Sequence, residues 1–331
     1  MKIVVDSAIP YISGLLEPYA EVVYKEGSKI DRATVKDCDA LIVRTRTRCD
    51  AKLLSGSNVR LIATATIGTD HIDEAYCREK GIIVTNAAGC NARGVLQWVA
   101  AVLRHIVEHR GSRPENLKLG VVGVGRVGSL VSEYAKAWGF EVLECDPPRQ
   151  RRKEGDFRDF EELVTTCDIL TFHTPLDKTT RYMLHRELIA KMRPDAVVIN
   201  ASRGAVVDNR AVLESGHPYY FDVWDGEPDI PKEVLDGATL ATPHIAGYSK
   251  QGKANATAMS VRAVASLFGF PLVGWYPADV NIVEPCAISW EEMCRTIDDH
   301  CPILADTEAL RLSPNDFERL RNTYAYREEY F

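Results

Sequence analysis

The segment Leu119-Gly120-Val121-Val122-Gly123-Val124-Gly125-Arg126-Val127-Gly128 constrains this chain more than any other. An apolar run ends in glycines spaced G-x-G-x-x-G, and a helical period from Val127 to Trp138 follows at once. That order reads as strand, tight turn and helix, the opening of a β-α-β unit. Gly123 permits the turn, Gly125 lets backbone N–H groups approach a ligand, and Gly128 lets the helix pack close on the sheet. The next apolar run, FEVLECD, ends near Asp146, 146 − 128 = 18 residues past the last glycine. A carboxylate there accepts hydrogen bonds from ribose hydroxyls, and the helix N-terminus favours a pyrophosphate. A dinucleotide is therefore expected over Gly123, Gly125, Arg126, Val127, Gly128 and Asp146. Asp146 would repel a 2′-phosphate, which points to NAD. Arg149, Arg151 and Arg152, beyond Pro147 and Pro148, are the residues that would otherwise accommodate one.

Strand-like runs recur on both sides of this motif. KIVVDS, EVVYKE, ALIVRT, LIATAT and IIVTNA precede it; FEVLECD, DILTFHT, AVVINAS, YYFDVWD and TLATPH follow. Most are continuously apolar, as strands of a buried parallel sheet must be. Helical periods lie between them at 160–164 and 186–192, with another at 253–268. The expected class is α/β, and 331 residues allow more than one domain. After Gly269 the composition changes, with prolines at 271, 277 and 285 and no clear period, so a small tail domain is expected over about 281–331.

Charge and cysteine usage exclude several classes. Acidic residues number 47 against 40 basic ones, for a net charge of −7, the opposite of a nucleic-acid-binding balance. An anionic substrate would need a local basic pocket. The longest apolar stretch, Val95 to Val107, is broken by Gln97 and Arg104 and is too short to cross a membrane. The opening MKIVVDS has no charged-then-apolar leader, and nine scattered cysteines form no C-x-x-C. The expectation is a reduced, cytoplasmic chain with neither a disulfide framework nor a metal site.

A nicotinamide that takes a hydride from a secondary alcohol needs a base for the hydroxyl proton and a cation for a substrate carboxylate. Of eight histidines, His173 in FHTP and His244 in ATPHIAGYS follow apolar strands, where ligands bind in parallel sheets. His244 is favoured, with His173 the alternative. His71, in GTDHID, reads as a structural histidine. Arg203 in INASRGAVVD and Glu227 in DVWDGEP also follow buried strands. A carboxylate beside the histidine would orient its ring. ALIVRTRTRCD places Arg44, Arg46 and Arg48 two apart, on one face of an extended chain, around Thr45. This row is a candidate anion site, to which Arg93 could add a donor.

GTDHID, GVVGVGRVG, HTPL, INASRGAVVD, DVWDGEP and TPHIAGYS together resemble the D-isomer-specific 2-hydroxyacid dehydrogenases over roughly residues 40–265. The resemblance implies two Rossmann-like domains with parallel sheets and the substrate between them. It also implies a catalytic trio at Arg203, Glu227 and His244, with NAD as cofactor. The implied boundaries are 1–90 with 255–280 for the substrate-binding lid, 91–254 for the NAD-binding domain, and 281–331 for a C-terminal α+β dimerisation domain.

A narrower likeness within the family rests on AAGCNA, LECDPPR, EGDFR, HIAGYSKQGKA and SPNDFERLRNTYAYREEY. It implies a homodimer acting on a phosphorylated small 2-hydroxy acid in pyridoxal 5′-phosphate biosynthesis. Thr45, Thr66 and Tyr248 would touch substrate, and Asp146, Thr174, Ala201, Asp222 and Gly247 would line the NAD site. Other activities of the family, of the phosphoglycerate dehydrogenase or hydroxypyruvate reductase type, stay open, as does an NAD-sensing binding protein without turnover. The chain departs from the pattern between Arg203 and Glu227, where 227 − 203 = 24 residues are several fewer than related enzymes usually have. The missing residues fall between Leu213 and Tyr220.

Overall fold

A computed structural model describes residues 1–331. The chain divides into two compact units, Met1–Asn91 with Lys250–Ile282 and Ala92–Ser249 with Val283–Phe331. Each is built on one parallel sheet.

In the first unit, β1 (Lys2–Asp6), β2 (Glu21–Lys25), β3 (Ala40–Val43), β4 (Leu61–Thr64) and β5 (Ile83–Asn86) stand in the order β2-β1-β3-β4-β5. The central strands β3 and β4 are buried at every residue, while the edge strand β5 is not. This gradient is why ALIV and LIAT are uninterrupted apolar runs. The helix Lys250–Phe268 returns to this unit, burying Val261, Val264 and Ala265 with Ile3, Val5 and Ile42.

In the second unit, β6 (Lys118–Val122), β7 (Glu141–Cys145), β8 (Ile169–Phe172), β9 (Val197–Asn200), β10 (Tyr219–Phe221) and β11 (Leu240–Ala241) stand in the order β11-β10-β9-β8-β6-β7. The chain runs one way from β6 to β7 and the other way from β6 to β8. The C-terminal ends of β6 and β8 therefore flank a topological switch point, where parallel sheets bind ligands. The helix Ala92–His109 is buried along most of its length against this sheet, which accounts for the long apolar stretch in the sequence. No helix is long and apolar enough to cross a membrane.

The tail does not form a core of its own. Its helices Trp290–His300, Ile303–Leu312 and Phe317–Asn322 contribute Met293, Ile297, Ile303, Leu310 and Phe317 to the cores of the second unit. Its β character is one isolated bridge, Ser249 to Arg327, rather than a sheet. So few residues cannot enclose a separate core, and these pack on the dinucleotide fold instead.

Candidate active site

Three loops at the ends of β9, β10 and β11 carry Arg203, Glu227 and His244. The organising residue is Asp222, which follows β10 and is 1% exposed. Its carboxylate accepts from Thr242 Oγ1 at 2.6 Å and from the backbone N–H groups of Ile245 at 2.7 Å and Ala246 at 3.0 Å. Burial pushes this carboxyl up, against the opposing pull of His244 and these three donors. Between Thr242 and Ile245 the chain takes a left-handed turn at His244, φ +56°. A side chain there costs roughly 1–2 kcal/mol. The turn is held by the His244 N–H, which donates to the Asp222 carbonyl at 2.8 Å, and by the two N–H groups that follow.

The His244 ring donates from Nδ1 to Glu227 Oε1 at 2.5 Å, and Glu227 Oε2 accepts from the Trp224 N–H at 3.2 Å. Burial alone would raise the Glu227 carboxyl. The hydrogen bond and charge of His244, the Trp224 N–H and the charge of Arg321 outweigh it, so the group lies below its ordinary value. A carboxylate on Nδ1 places the ring proton there and leaves Nε2 as the basic nitrogen. The 24-residue spacing from Arg203 is absorbed between these points. The helix Asn209–Ser215 ends on Gly216 at φ +78°, and β10 starts at Tyr219.

Arg203 sits on a loop locked to that of Glu227. A Cβ on Gly204 would lie 1.9 Å from the Trp224 carbonyl carbon, so the two backbones meet where only glycine fits. Asn209 Nδ2 donates to the carbonyls of Gly204 and Val207, and its Oδ1 accepts from the Asp225 N–H. Trp224 Nε1 then donates to the Thr242 carbonyl at 3.0 Å. All three loops thus belong to one hydrogen-bonded framework. Arg203 is half-buried and donates to the Ser202 carbonyl at 2.8 Å.

His173 is differently placed. Its Nε2 lies 3.0 Å from Thr171 Oγ1, and burial pushes its pKa down to about 3. It has no carboxylate partner, whereas His244 has one. His71, in the first unit, contacts Thr64 Oγ1 at 3.1 Å, and burial shifts it toward the neutral form.

The glycine loop follows β6 in the second unit. Gly123 has φ +86°, and a Cβ on it would lie 2.8 Å from both the His173 carbonyl and Thr174 Cγ2, so this turn presses on the loop after β8. A Cβ on Gly128 would lie 1.9 Å from the Gly123 carbonyl oxygen. The helix Arg126–Ala137 has no side-chain cap, and the space where Gly125 would carry a Cβ is open. Uncapped N–H groups facing open space fit a pyrophosphate. Asp146 caps the helix Pro147–Arg151 through the Arg149 N–H and also accepts from the Val124 N–H at 2.9 Å. Arg149 donates to the Val124 carbonyl and pairs with Glu154, as does Arg152, so both are drawn from a 2′-phosphate role by an internal acid. Ala201 and Gly247, at the ends of the other loops, are half-buried.

In the first unit the arginine row is not extended. β3 stops at Val43, and the Thr47 N–H turns back to the Arg44 carbonyl at 3.2 Å. Buried Thr47 fixes this turn by donating to the Gly27 carbonyl at 2.9 Å. Arg44 therefore reaches the Ala8 carbonyl, Thr45 and Arg46 are exposed, and Arg48 pairs with Asp50. Thr66 is half-buried, 2.6 Å from Thr64 Oγ1. Arg93, considered as a further donor to an anion, is engaged on all three nitrogens. In the second unit it donates to the carbonyls of Phe331, Val283 and Glu284.

Residues 91–246 match the family D-isomer specific 2-hydroxyacid dehydrogenase, NAD binding domain. Erythronate-4-phosphate dehydrogenase of Bacteroides fragilis (strain YCH46) is 42% identical over 99% of this chain and 97% of its own length. The chain belongs to the D-isomer specific 2-hydroxyacid dehydrogenase family. Erythronate-4-phosphate dehydrogenase of Azotobacter vinelandii (strain DJ / ATCC BAA-1303) is 43% identical over 82% of this chain and 74% of that one. Among solved structures, D-lactate dehydrogenase from Aquifex aeolicus, complexed with NAD and lactic acid, shares the fold. Its TM-score is 0.65, at 24% identity, covering 86% of this chain and all of that one. Like other D-isomer specific 2-hydroxyacid dehydrogenases, the protein is an oxidoreductase whose cofactor is NAD.

The tail grips the histidine loop of this 2-hydroxyacid dehydrogenase, which the sequence did not reveal. The Ala241 N–H donates to Thr307 Oγ1 at 3.1 Å, and buried Arg327 donates to the Ala246 carbonyl at 2.5 Å. Ser249 Oγ donates to Glu329 at 2.6 Å, and Arg321 Nε donates to the Tyr248 hydroxyl at 3.1 Å. The available signal was the density of arginines and tyrosines in FERLRNTYAYREEY, beside the apolar Phe317 and Leu320.

Proposed function

We propose that the protein oxidises 4-phospho-D-erythronate to 3-hydroxy-2-oxo-4-phosphooxybutanoate, with NAD as hydride acceptor, in pyridoxal 5′-phosphate biosynthesis. The observation that carries the chemistry is the contact between His244 and Glu227, at 2.5 Å on loops that follow parallel strands. The substrate assignment is supported by the likeness to erythronate-4-phosphate dehydrogenases, which extends over 99% of the chain and includes the tail.

His244 Nε2 takes the proton of the substrate 2-hydroxyl. Glu227 holds the ring and stabilises the imidazolium that results. Arg203 binds the substrate carboxylate and polarises the C2 oxygen. NAD, held at Gly123, Gly125, Arg126, Val127, Gly128 and Asp146, supplies the acceptor for the C2 hydride. Thr174, Ala201 and Gly247 complete its site. Asp222 Oδ2 accepts one hydrogen bond within the protein, which leaves it capacity for a carboxamide N–H. Arg44, Thr45, Arg46, Thr66 and Tyr248 bind the remainder of the substrate, the arginines taking the phosphate. The active species is a homodimer. Leu304, Leu312 and Tyr326, exposed apolar residues of the tail at 57%, 76% and 37%, support a second copy docking there.

His244→Asn tests the chemistry. Turnover should fall roughly 10²–10⁴-fold while NAD binding, followed by NADH fluorescence, is retained. Near-wild-type turnover would transfer the base to another residue.

A further inference from the structure

Arg321 lies in the tail helix Phe317–Asn322, far in sequence from every residue assigned above. Its Nε donates to the Tyr248 hydroxyl at 3.1 Å, and its guanidinium lies 6.0 Å from the centre of the Tyr248 ring. Tyr248 also meets the rings of Tyr324 and Tyr326 edge-on. Arg321 is close enough to Glu227 for its charge to help hold that carboxylate ionised. Both partners belong to the loops that carry the His244–Glu227 pair.

The guanidinium is half-buried and forms no ion pair within 4.0 Å. Its one hydrogen bond uses Nε, so the two terminal nitrogens are left to donate elsewhere. Glu227 and Glu318 lie near enough for their charges to favour the cation, but neither hydrogen-bonds the terminal nitrogens, and planar guanidinium forks bind phosphate in two-point fashion. Arg327, six residues on, shows the contrast. It is fully buried and committed to the carbonyls of Gly94 and Ala246. The contacts of Thr307, Arg327 and Glu329 on residues 241–249 fix the tail to the histidine loop, so the position of Arg321 is set by the fold.

We propose that Arg321 is a specificity-determining residue that, with Tyr248, binds the phosphate of the substrate. The tail then supplies part of the substrate site as well as a packing surface. This inference rests on the reading of the substrate as a phosphorylated 2-hydroxy acid.

The test compares wild type with Arg321→Met, which keeps the stem against Tyr248 and removes the charge, and Arg321→Lys, which keeps the charge and removes the fork. Kinetics are measured with 4-phosphoerythronate and with erythronate, and inorganic phosphate is titrated as a competitive inhibitor. Arg321→Met should lower kcat/KM for the phosphorylated acid by about tenfold or more, the effect of one charge-assisted hydrogen bond, chiefly through KM. The inhibition constant of phosphate should rise in parallel. Turnover of erythronate should stay within about threefold of wild type, NAD affinity should not change, and Arg321→Lys should recover part of the loss. Equal losses on both acids, an unchanged phosphate inhibition constant, or a shifted acid limb of the pH profile as the sole effect would overturn the proposal. A wild-type enzyme that does not prefer the phosphorylated acid would instead contradict the substrate reading, and that result is visible before any variant is made.

Discussion

Glu227 Oε1 lies 2.5 Å from Nδ1 of His244, and this contact decides which ring nitrogen carries the proton. The Glu227 carboxyl lies below its ordinary value of 4.5, so on acidification the pair persists until pH falls through that lowered value. Any stability the pair contributes is fully present above pH 4.5 and is lost below it. Glu227→Gln keeps the size and removes the charge. Its kcat should fall by roughly 10²-fold or more, because most of a general base's contribution depends on the correct tautomer. The acid limb of the kcat/KM profile should move to lower pH, because the imidazolium loses its neighbouring negative charge. An unchanged profile would mean that Glu227 only supports the loop.

Asp222→Asn tests the framework beneath the histidine. An asparagine amide cannot accept from both Ala246 and Ile245 as the carboxylate does, and one N–H would face an N–H donor. Denaturant unfolding should show a loss of about 1–3 kcal/mol, together with a large fall in turnover, since the left-handed turn at His244 loses its anchors. Wild-type stability would show that the turn does not depend on these bonds.

Asp146→Ser separates selectivity from structure. Serine still caps the helix Pro147–Arg151, and the structural loss is confined to the hydrogen bond from the Val124 N–H, about 1 kcal/mol. NAD should bind more weakly, and the ratio of NADP to NAD activity should rise. An unaltered ratio would show that the neighbouring arginines set cofactor choice despite their ties to Glu154.

Asp306 gives the tail a pH signature. Burial raises its carboxyl from 3.8 to about 6, against the pull of Arg327 and a hydrogen bond from Tyr324. The folded state then binds more protons than the unfolded chain between those values. The contribution of Asp306 to stability should therefore fall as pH rises through that window, by up to about 3 kcal/mol, and level off above it. In Asp306→Asn the stability profile should lose that downward contribution relative to wild type; an identical profile in the two proteins would assign it to other groups.

Much of this architecture was legible because parallel strands buried on both sides must be continuously apolar. ALIV, LIAT, ILTF and VVIN are therefore visible without neighbours. The glycine loop was legible because Gly128 has no room for a Cβ, a constraint that one residue type satisfies. The helix predicted at 186–192 ends at Ile189, because local period does not report where a turn of helix loses its packing. The arginine row failed as an extended face because buried Thr47 closes a turn, and a threonine's burial is not written in its neighbours. Arg93, Arg321 and Arg327 were illegible for a different reason. Their partners lie 190 or more residues away for Arg93, 73 for the Arg321–Tyr248 bond and 81 for the Arg327–Ala246 bond. No local pattern distinguishes a surface arginine from one that anchors another loop.

The most direct test of the whole account is a substrate panel with NAD as acceptor: 4-phosphoerythronate, 3-phosphoglycerate, glycerate and lactate, with NADH formation followed by absorbance. The account predicts the highest kcat/KM for 4-phosphoerythronate, loss of that turnover in His244→Asn, and little turnover of the unphosphorylated acids. Preference for 3-phosphoglycerate or for an unphosphorylated acid would contradict the assigned substrate. NAD binding without turnover of any of the four would contradict the account of His244, Glu227 and Arg203 as a working catalytic site for these acids.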